Sequence, residues 1–81
     1  MINKTAYLFS GGGFVLASDA KEFAEKMRHT SMNKEKNLAD FMDAVAHRCH
    51  LDNASFIRTD NYDAFLEDLI DHEFVIAITL D

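Results

Sequence analysis

Residues 5–17 read TAYLFSGGGFVLA, two runs of β-forming residues on either side of three consecutive glycines. Two such runs joined by a short glycine-containing loop are typical of a β-hairpin. Glycine-rich loops also cradle phosphate, but that chemistry requires the loop to open onto a helix N-terminus. Because a predicted strand follows the glycines here, they are interpreted as a turn rather than as a phosphate site.

Helical spacing dominates the sequence that follows the hairpin. Asp19 and Glu22 form a capping-box pair, which predicts a first helix from residue 19 to about residue 29. A second helix is predicted from about residue 34 to residue 50, after a break at residues 30–33. The apolar stripes that support these helices are Ala20, Phe23, Ala24 and Met27 in the first, and Leu38, Phe41, Met42, Val45 and Cys49 in the second.

The remaining chain predicts two more strands and one more helix. Residues 55–59 alternate in hydropathy, which favours a short third strand. Asp60 is the expected cap of a third helix that ends near His72. Residues 74–80 are apolar on both alternating faces, which predicts a central strand covered on at least one side. The apolar stripe of the third helix consists of Tyr62, Phe65, Leu66, Leu69 and Ile70.

The resulting order, β-β-α-α-β-α-β, predicts an α+β fold. We expect one small mixed sheet of three to four strands with the helices packed mainly on one face. At 81 residues, 48% of them hydrophobic, the chain is expected to form a single compact domain over residues 1–81.

Composition also restricts the class of protein. A single cysteine, Cys49, cannot form an internal disulfide, so a reducing compartment is expected rather than secretion. The longest apolar run covers residues 74–78, far short of the roughly 20 residues that a membrane helix needs. No leader pattern follows Met1. We therefore expect a cytoplasmic protein without a membrane partner.

Charge is distributed unevenly along the chain. The net charge is −6, yet residues 1–38 carry six basic against four acidic side chains, whereas residues 39–81 carry two basic against ten acidic ones. Binding to a nucleic-acid backbone needs Lys and Arg gathered on one face. The sequence therefore predicts no direct nucleic-acid partner, and the acidic half favours a partner with a basic surface.

The third predicted helix carries the most unusual pattern. Asp63, Glu67 and Asp71 are spaced four residues apart, with Asp68 adjacent and Asp60 at the helix start. Like charges at this spacing destabilise a helix, and such a cost without a local gain is where function is suspected. These five residues are the predicted partner-binding site; the alternative is a face that is only solvated.

The leading hypothesis is a small acidic protein-interaction module that binds a partner protein through residues 60–72. Inhibitor, immunity and counter-defence proteins act in this manner. One form of the hypothesis has the carboxylates mimic nucleic-acid phosphates and block a nucleic-acid-handling protein. An alternative is a structural accessory domain without catalysis that self-associates through its sheet, which leaves a homodimer open.

A second alternative is a small metal or thiol enzyme built on Cys49 and the histidines. On one helix, His47 and Cys49 project about 200° apart, so they cannot chelate one ion. The acidic half of the chain also disfavours the thiolate that nucleophilic chemistry requires. The sequence therefore predicts no enzyme, with no catalytic, cofactor-binding or metal-binding residue.

Overall fold

The computed structural model describes residues 4–30 and 37–80. In these ranges it contains three strands and three helices, an α+β arrangement that confirms the predicted fold class. In chain order the elements are β1 (Lys4–Phe9), β2 (Phe14–Ala17), α1 (Ala20–Thr30), α2 (Leu38–Asn53), α3 (Tyr62–Asp71) and β3 (Val75–Leu80).

The predicted hairpin is confirmed. β1 pairs antiparallel with β2, with Leu8 opposite Phe14. In the turn, Gly12 and Gly13 have φ values of 104° and 87°, a region that side chains with a Cβ rarely adopt. The amide of Phe9 donates to the carbonyl of Gly13 at 3.0 Å and closes the loop.

The sheet has the order β2-β1-β3 and all its pairs are antiparallel, so the prediction of a mixed sheet is wrong. The prediction that the last strand is central is wrong as well. β1 is the central strand because its two edges are taken by β2 and by β3. In β3, Val75 lies opposite Phe9 and Leu80 lies opposite Lys4, which leaves the other edge of β3 without a neighbour in the described sheet.

The predicted third strand is also wrong. Residues 54–59 form no strand, although the side chains of Ser55 and Ile57 are buried and those of Phe56 and Arg58 are exposed, as alternation predicts. The backbone amide of Arg58 donates to the carboxylate of Asp68 on α3 at 2.8 Å. The alternation therefore reflects packing of an extended segment beside a helix rather than pairing in the sheet.

The first helix begins close to its predicted position. The carboxylate of Asp19 accepts the amide of Glu22 at 2.7 Å, which satisfies one of the free donors of the first turn. The Glu22 carboxylate reaches back to the amide of Ser18 at 2.6 Å, one residue earlier than in a standard capping box.

The second helix is shifted toward the C-terminus relative to its prediction. Asn37 is its cap, accepting the amide of Asp40 at 2.8 Å, so the described helix starts at Leu38 rather than at residue 34. It runs to Asn53, three residues beyond the predicted end, where Ala54 adopts a left-handed conformation. The predicted break covers residues 30–33, but Thr30 still belongs to α1. Residues 31–33 and the predicted first turn at residues 34–36 lie outside the described residues.

The third helix starts after Asn61, whose side chain accepts the amide of Ala64 at 2.7 Å. The prediction that Asp60 caps this helix is therefore wrong by one residue. Asn61 has the extended backbone that a cap requires, and Asp60 stays exposed in the turn before it. The helix ends at Asp71, close to the predicted end.

The core lies between one face of the sheet and the three helices. Phe23 is fully buried and contacts the ring of Tyr7 edge-on, with ring centres 4.9 Å apart. The predicted helical stripes supply most of this core, which confirms the faces assigned to the helices. Its buried members are Tyr7, Val15, Ala17, Ala20, Phe23, Ala24, Met42, Cys49, Ile57, Phe65, Leu66, Leu69 and Val75.

Candidate functional site

Four of the five predicted partner-binding residues are exposed: Asp60, Asp63, Glu67 and Asp71. Three of them, Asp63, Glu67 and Asp71, share the exposed side of α3, which we call the acidic face of α3. For Asp63 and Asp71 no ion pair with another described residue is present. The structure thus places a short row of carboxylates on one helix.

Asp68 is different, because it has a partner within the protein. Its two carboxylate oxygens accept the Nε and a terminal nitrogen of Arg58, each at 2.9 Å. The same carboxylate accepts the backbone amide of Arg58, and only 13% of the Asp68 side chain is exposed. These three bonds attach the extended segment before α3 to the helix.

The Arg58–Asp68 pair changes the electrostatics of the predicted site. Hydrogen bonds from Arg58 lower the pKa of Asp68 to about 2, and the pKa of Arg58 is raised above its ordinary value. The guanidinium also lies 3.4 Å from the carboxylate of Glu67. Asp68 therefore has a structural role, and its charge is already compensated.

Arg58 is a residue that the sequence reasoning missed. Its signal was present, since it is the only Lys or Arg after Arg48 and stands in a strongly acidic half. Helix spacing relates the carboxylates only to residues of their own helix, where no Lys or Arg lies. A cation ten residues away in sequence reaches Asp68 because the extended segment lies beside α3.

A second polar cluster ties the start of β1 to α1. The Glu22 carboxylate accepts the amide of Ser18, lies 3.1 Å from the ammonium of Lys4 and lies 3.8 Å from that of Lys26. These contacts, with the backbone bond from Ser18 as the largest cause, lower the pKa of Glu22 to about 2. The opposite charges of this cluster pair with one another, and their contacts hold β1 against α1.

Cys49 lines a groove of about 900 Å³ between the glycine turn, α2 and the start of β3. The residue is only 5% exposed. Burial, together with the nearby carboxylate of Asp52, raises the pKa of its thiol. Since the thiolate is the reactive form, this environment opposes nucleophilic chemistry at Cys49.

The histidines near Cys49 are exposed, although His47 lines the same groove. His47 and His50 are exposed on α2, whereas Cys49 faces the core. In the part of the chain that the structure describes, no three His, Cys, Asp or Glu side chains are grouped so that they could hold a metal ion. These observations give the metal or thiol enzyme hypothesis no support.

The side of the sheet that faces away from the helices carries an apolar surface that the sequence reasoning did not single out. Five large apolar side chains on it are 36–63% exposed. They form two cross-strand rows: Phe14, Leu8 and Ile76 in the first, and Leu16, Ala6 and Ile78 in the second. We call these six residues the outer face of the sheet.

The outer face has no charged side chain at these six positions. The second row has a depression at its centre, because Ala6 is small and only 8% exposed. Ala6 lies between the larger side chains of Leu16 and Ile78. The signal in the sequence is the continuous apolar run of β3, which predicts a strand covered on at least one side and leaves open whether Ile76 and Ile78 lie on the covered side. A strand that is apolar on both faces looks the same in sequence whether or not a neighbour covers it.

The two edges of the sheet also differ. The ammonium of Lys26 donates to the carbonyl of Leu16 and blocks the edge of β2. The edge of β3 carries no Pro and no charged residue between Val75 and Leu80. Charges and prolines are the usual protection of an exposed edge. β3 is thus the open edge of the described sheet.

Comparison of the chain with protein-family models, with curated proteins and with solved structures found no match. None of the helices in the described ranges is long and apolar enough to cross a membrane. The described part of the chain thus offers two candidate binding surfaces, the outer face of the sheet and the acidic face of α3.

Proposed function

We propose that this chain is a protein-binding domain that acts without catalysis, and that the outer face of the sheet is its binding surface. One observation carries the proposal: five large apolar side chains are exposed on one contiguous face. The proposal keeps the interaction module expected from the sequence but assigns its main contact to the sheet rather than to α3.

The physical reason is the cost of leaving this face in water. An antiparallel sheet with one solvated side normally alternates apolar residues inside with polar residues outside. Here the outward positions Leu8, Phe14 and Ile76 are all apolar. Together the five exposed side chains present on the order of 450 Å² of apolar surface, within the size range of about 300–600 Å² in which the largest patch of a monomer is often functional.

A second candidate function is binding of a basic protein by the acidic face of α3. It is favoured by the exposure of Asp63 and Asp71 without an ion pair to another described residue. An inhibitor that mimics nucleic-acid phosphates belongs to this candidate. Its support is weakened by Asp68, since Arg58 already compensates that carboxylate.

Site-specific photo-crosslinking in the cell that encodes the protein tests the two candidates. A photoreactive phenylalanine analogue is placed at Phe14 on the outer face or at Asp63 on α3. Phe56 is the matched control, because it is a phenylalanine outside the sheet that is 71% exposed. We expect a discrete protein adduct from position 14 and none from positions 56 and 63.

Two results would contradict the proposal. Adducts from position 63 alone would assign binding to the acidic face of α3. Adducts of similar yield from positions 14 and 56 would show that any exposed aromatic residue is captured, so that the outer face has no special role.

A further inference from the structure

We propose that the outer face of the sheet binds the same face of a second copy of this chain, so that two sheets pack face to face around a two-fold axis. This inference rests on the proposed function and names its partner. Three properties of the face carry it: its charge, its shape and its area.

The charge distribution favours a second copy. A partner selected by charge needs available ionised side chains on or around the contact. The six positions of the outer face hold none, and the cation at the next position on that side of β1, Lys4, is bound to Glu22 of its own chain. The domain carries a net charge of −6, and the acidic face of α3 lies in the helix layer on the other side of the sheet. Two outer faces can therefore meet without bringing the acidic faces together.

The shape of the face is self-complementary. Leu8 lies at the centre of the first cross-strand row and Ala6 at the centre of the second. The protruding side chain of Leu8 therefore lies beside the depression at Ala6. Consider a two-fold axis that runs between the two sheets, perpendicular to the strands, at the level of Tyr7. It places Leu8 of each copy over Ala6 of the other. A two-fold contact of this kind repeats every pair twice.

The same axis places Phe14 over Leu16 of the other copy and Ile76 over Ile78. Each large side chain then meets an apolar partner in the neighbouring row. The arrangement is that of a small β-sandwich, in which two sheets pack about 10 Å apart through their apolar faces.

The area predicts a weak dimer. Covering both outer faces removes at most about 900 Å² of apolar surface from water, a modest apolar contribution to an interface when standard stable interfaces bury roughly 1,200–2,000 Å² in total. Reversible association at micromolar concentration is the expected behaviour. Pairing through the open edge of β3 is the less favourable geometry, because it leaves both outer faces in water.

Sedimentation velocity on the purified chain, from about 1 µM to about 500 µM, measures the dimer directly. We expect Phe14→Ser to raise the dimer dissociation constant at least about tenfold, since aromatic anchors dominate such contacts. Phe56→Ser removes a phenylalanine outside the sheet that is slightly more exposed, 71% against 63% for Phe14, and is expected to change the constant less than about twofold. Circular dichroism and urea unfolding confirm that each variant is folded.

Ala6→Leu distinguishes a fitted contact from a merely adhesive patch. The larger side chain fills the depression into which Leu8 of the other copy packs. We therefore expect this substitution to weaken the dimer about tenfold, in the way that overpacking weakens cores. A nonspecific patch would bind more tightly with the added apolar side chain. Ala6→Val makes the same test with a smaller side chain if the leucine variant does not fold.

Each remaining outcome is decisive. A wild-type chain that stays monomeric up to about 500 µM overturns the second copy as partner. If position 14 then crosslinks to a different protein, the proposed function stands without this inference. A dimer that Ala77→Pro abolishes and Phe14→Ser leaves intact assigns pairing to the β3 edge, and both the inference and the outer face as binding surface are overturned.

Discussion

The outer face of the sheet and the acidic face of α3 are both exposed, but their chemistry and their internal contacts differ. The outer face is uncharged and its large side chains stand apart from the core, whereas α3 carries carboxylates and uses Asp68 for the fold. Water solvates carboxylates well and apolar side chains poorly. Exposure is therefore costly at the sheet, where burial of the apolar side chains would be favourable, and costs little at the helix.

This difference shows why a local rule can mislead. The carboxylates of α3 looked costly because no cation lies among them on the helix, yet Arg58 reaches Asp68 and Glu67 from the preceding segment. The apolar residues of β3 looked unremarkable because the sequence predicts a central strand covered on at least one side. In both regions, contacts with distant parts of the chain determine whether a side chain has a partner.

The contrast between the outer face and the acidic face would be lost if the outer face proved to be part of the core. We expect Phe23→Ala to lower the free energy of unfolding by about 3–5 kcal/mol, because Phe23 is fully buried against Tyr7 and its loss leaves a cavity. Phe14→Ala is expected to cost less than about 1 kcal/mol, since Phe14 is 63% exposed. Urea unfolding of both variants at a concentration where the chain is monomeric measures the difference. Equal losses would make Phe14 a structural residue and remove the reason for a binding surface.

The second prediction sharpens the division within the carboxylates. Asp68→Asn removes the charge that holds Arg58, so the urea midpoint at neutral pH should fall, whereas Asp63→Asn should leave it nearly unchanged. The pKa of Asp68 is lowered from 3.8 to about 2, so the folded state favours its ionised form. The stabilisation is therefore complete above about pH 4 and is lost as the pH falls toward 2.

The measurement is the urea midpoint of each variant between pH 7 and pH 2. The gap between wild type and Asp68→Asn should close in this acid range. Both proteins should also lose stability there through Glu22, whose pKa is lowered from 4.5 to about 2, so this loss does not change the gap. A gap that stays constant down to pH 2 would show that the charge of Asp68 is not what attaches the segment to α3.

Local patterns predicted a large part of this fold. The glycine turn, the helix faces and the position of α1 follow from backbone conformation and from periodicity over a few residues, and they are confirmed. The error at residues 55–59 has a physical cause, because Ser55 and Ile57 are buried with the period of a strand while the backbone binds Asp68. Periodicity reports which side chains are buried but not what covers them.

The candidate site was less predictable for the same reason. Pairing order decides that β3 lies at an edge and that Ile76 and Ile78 face water, and this order depends on contacts between distant parts of the chain. The Arg58–Asp68 pair joins two segments whose relative position the sequence pattern does not specify. Charge and hydropathy identify candidates, whereas tertiary contacts determine which of them are free.

The smallest expected effect tests whether the acidic face of α3 behaves as an ordinary solvated helix surface. Asp63 lies in the first turn and Asp71 in the last, and each has Glu67 four residues away. Replacing either one by Asn removes one like-charge pair, but the helix dipole favours an anion at the first turn and disfavours it at the last. We expect Asp71→Asn to stabilise the domain by about 0.3–0.5 kcal/mol and Asp63→Asn to change it by less than about 0.3 kcal/mol.

Since the two variants are matched in residue type, exposure and charge, their difference isolates the position on the helix. Urea unfolding at low salt measures it, and added salt should reduce it because these are surface interactions. Neither variant should weaken dimers formed through the outer face, as neither side chain lies on that side of the sheet. If both variants instead slow binding to a basic partner and flatten its dependence on salt, the acidic face is an interaction surface in its own right, and the contrast between helix and sheet no longer holds.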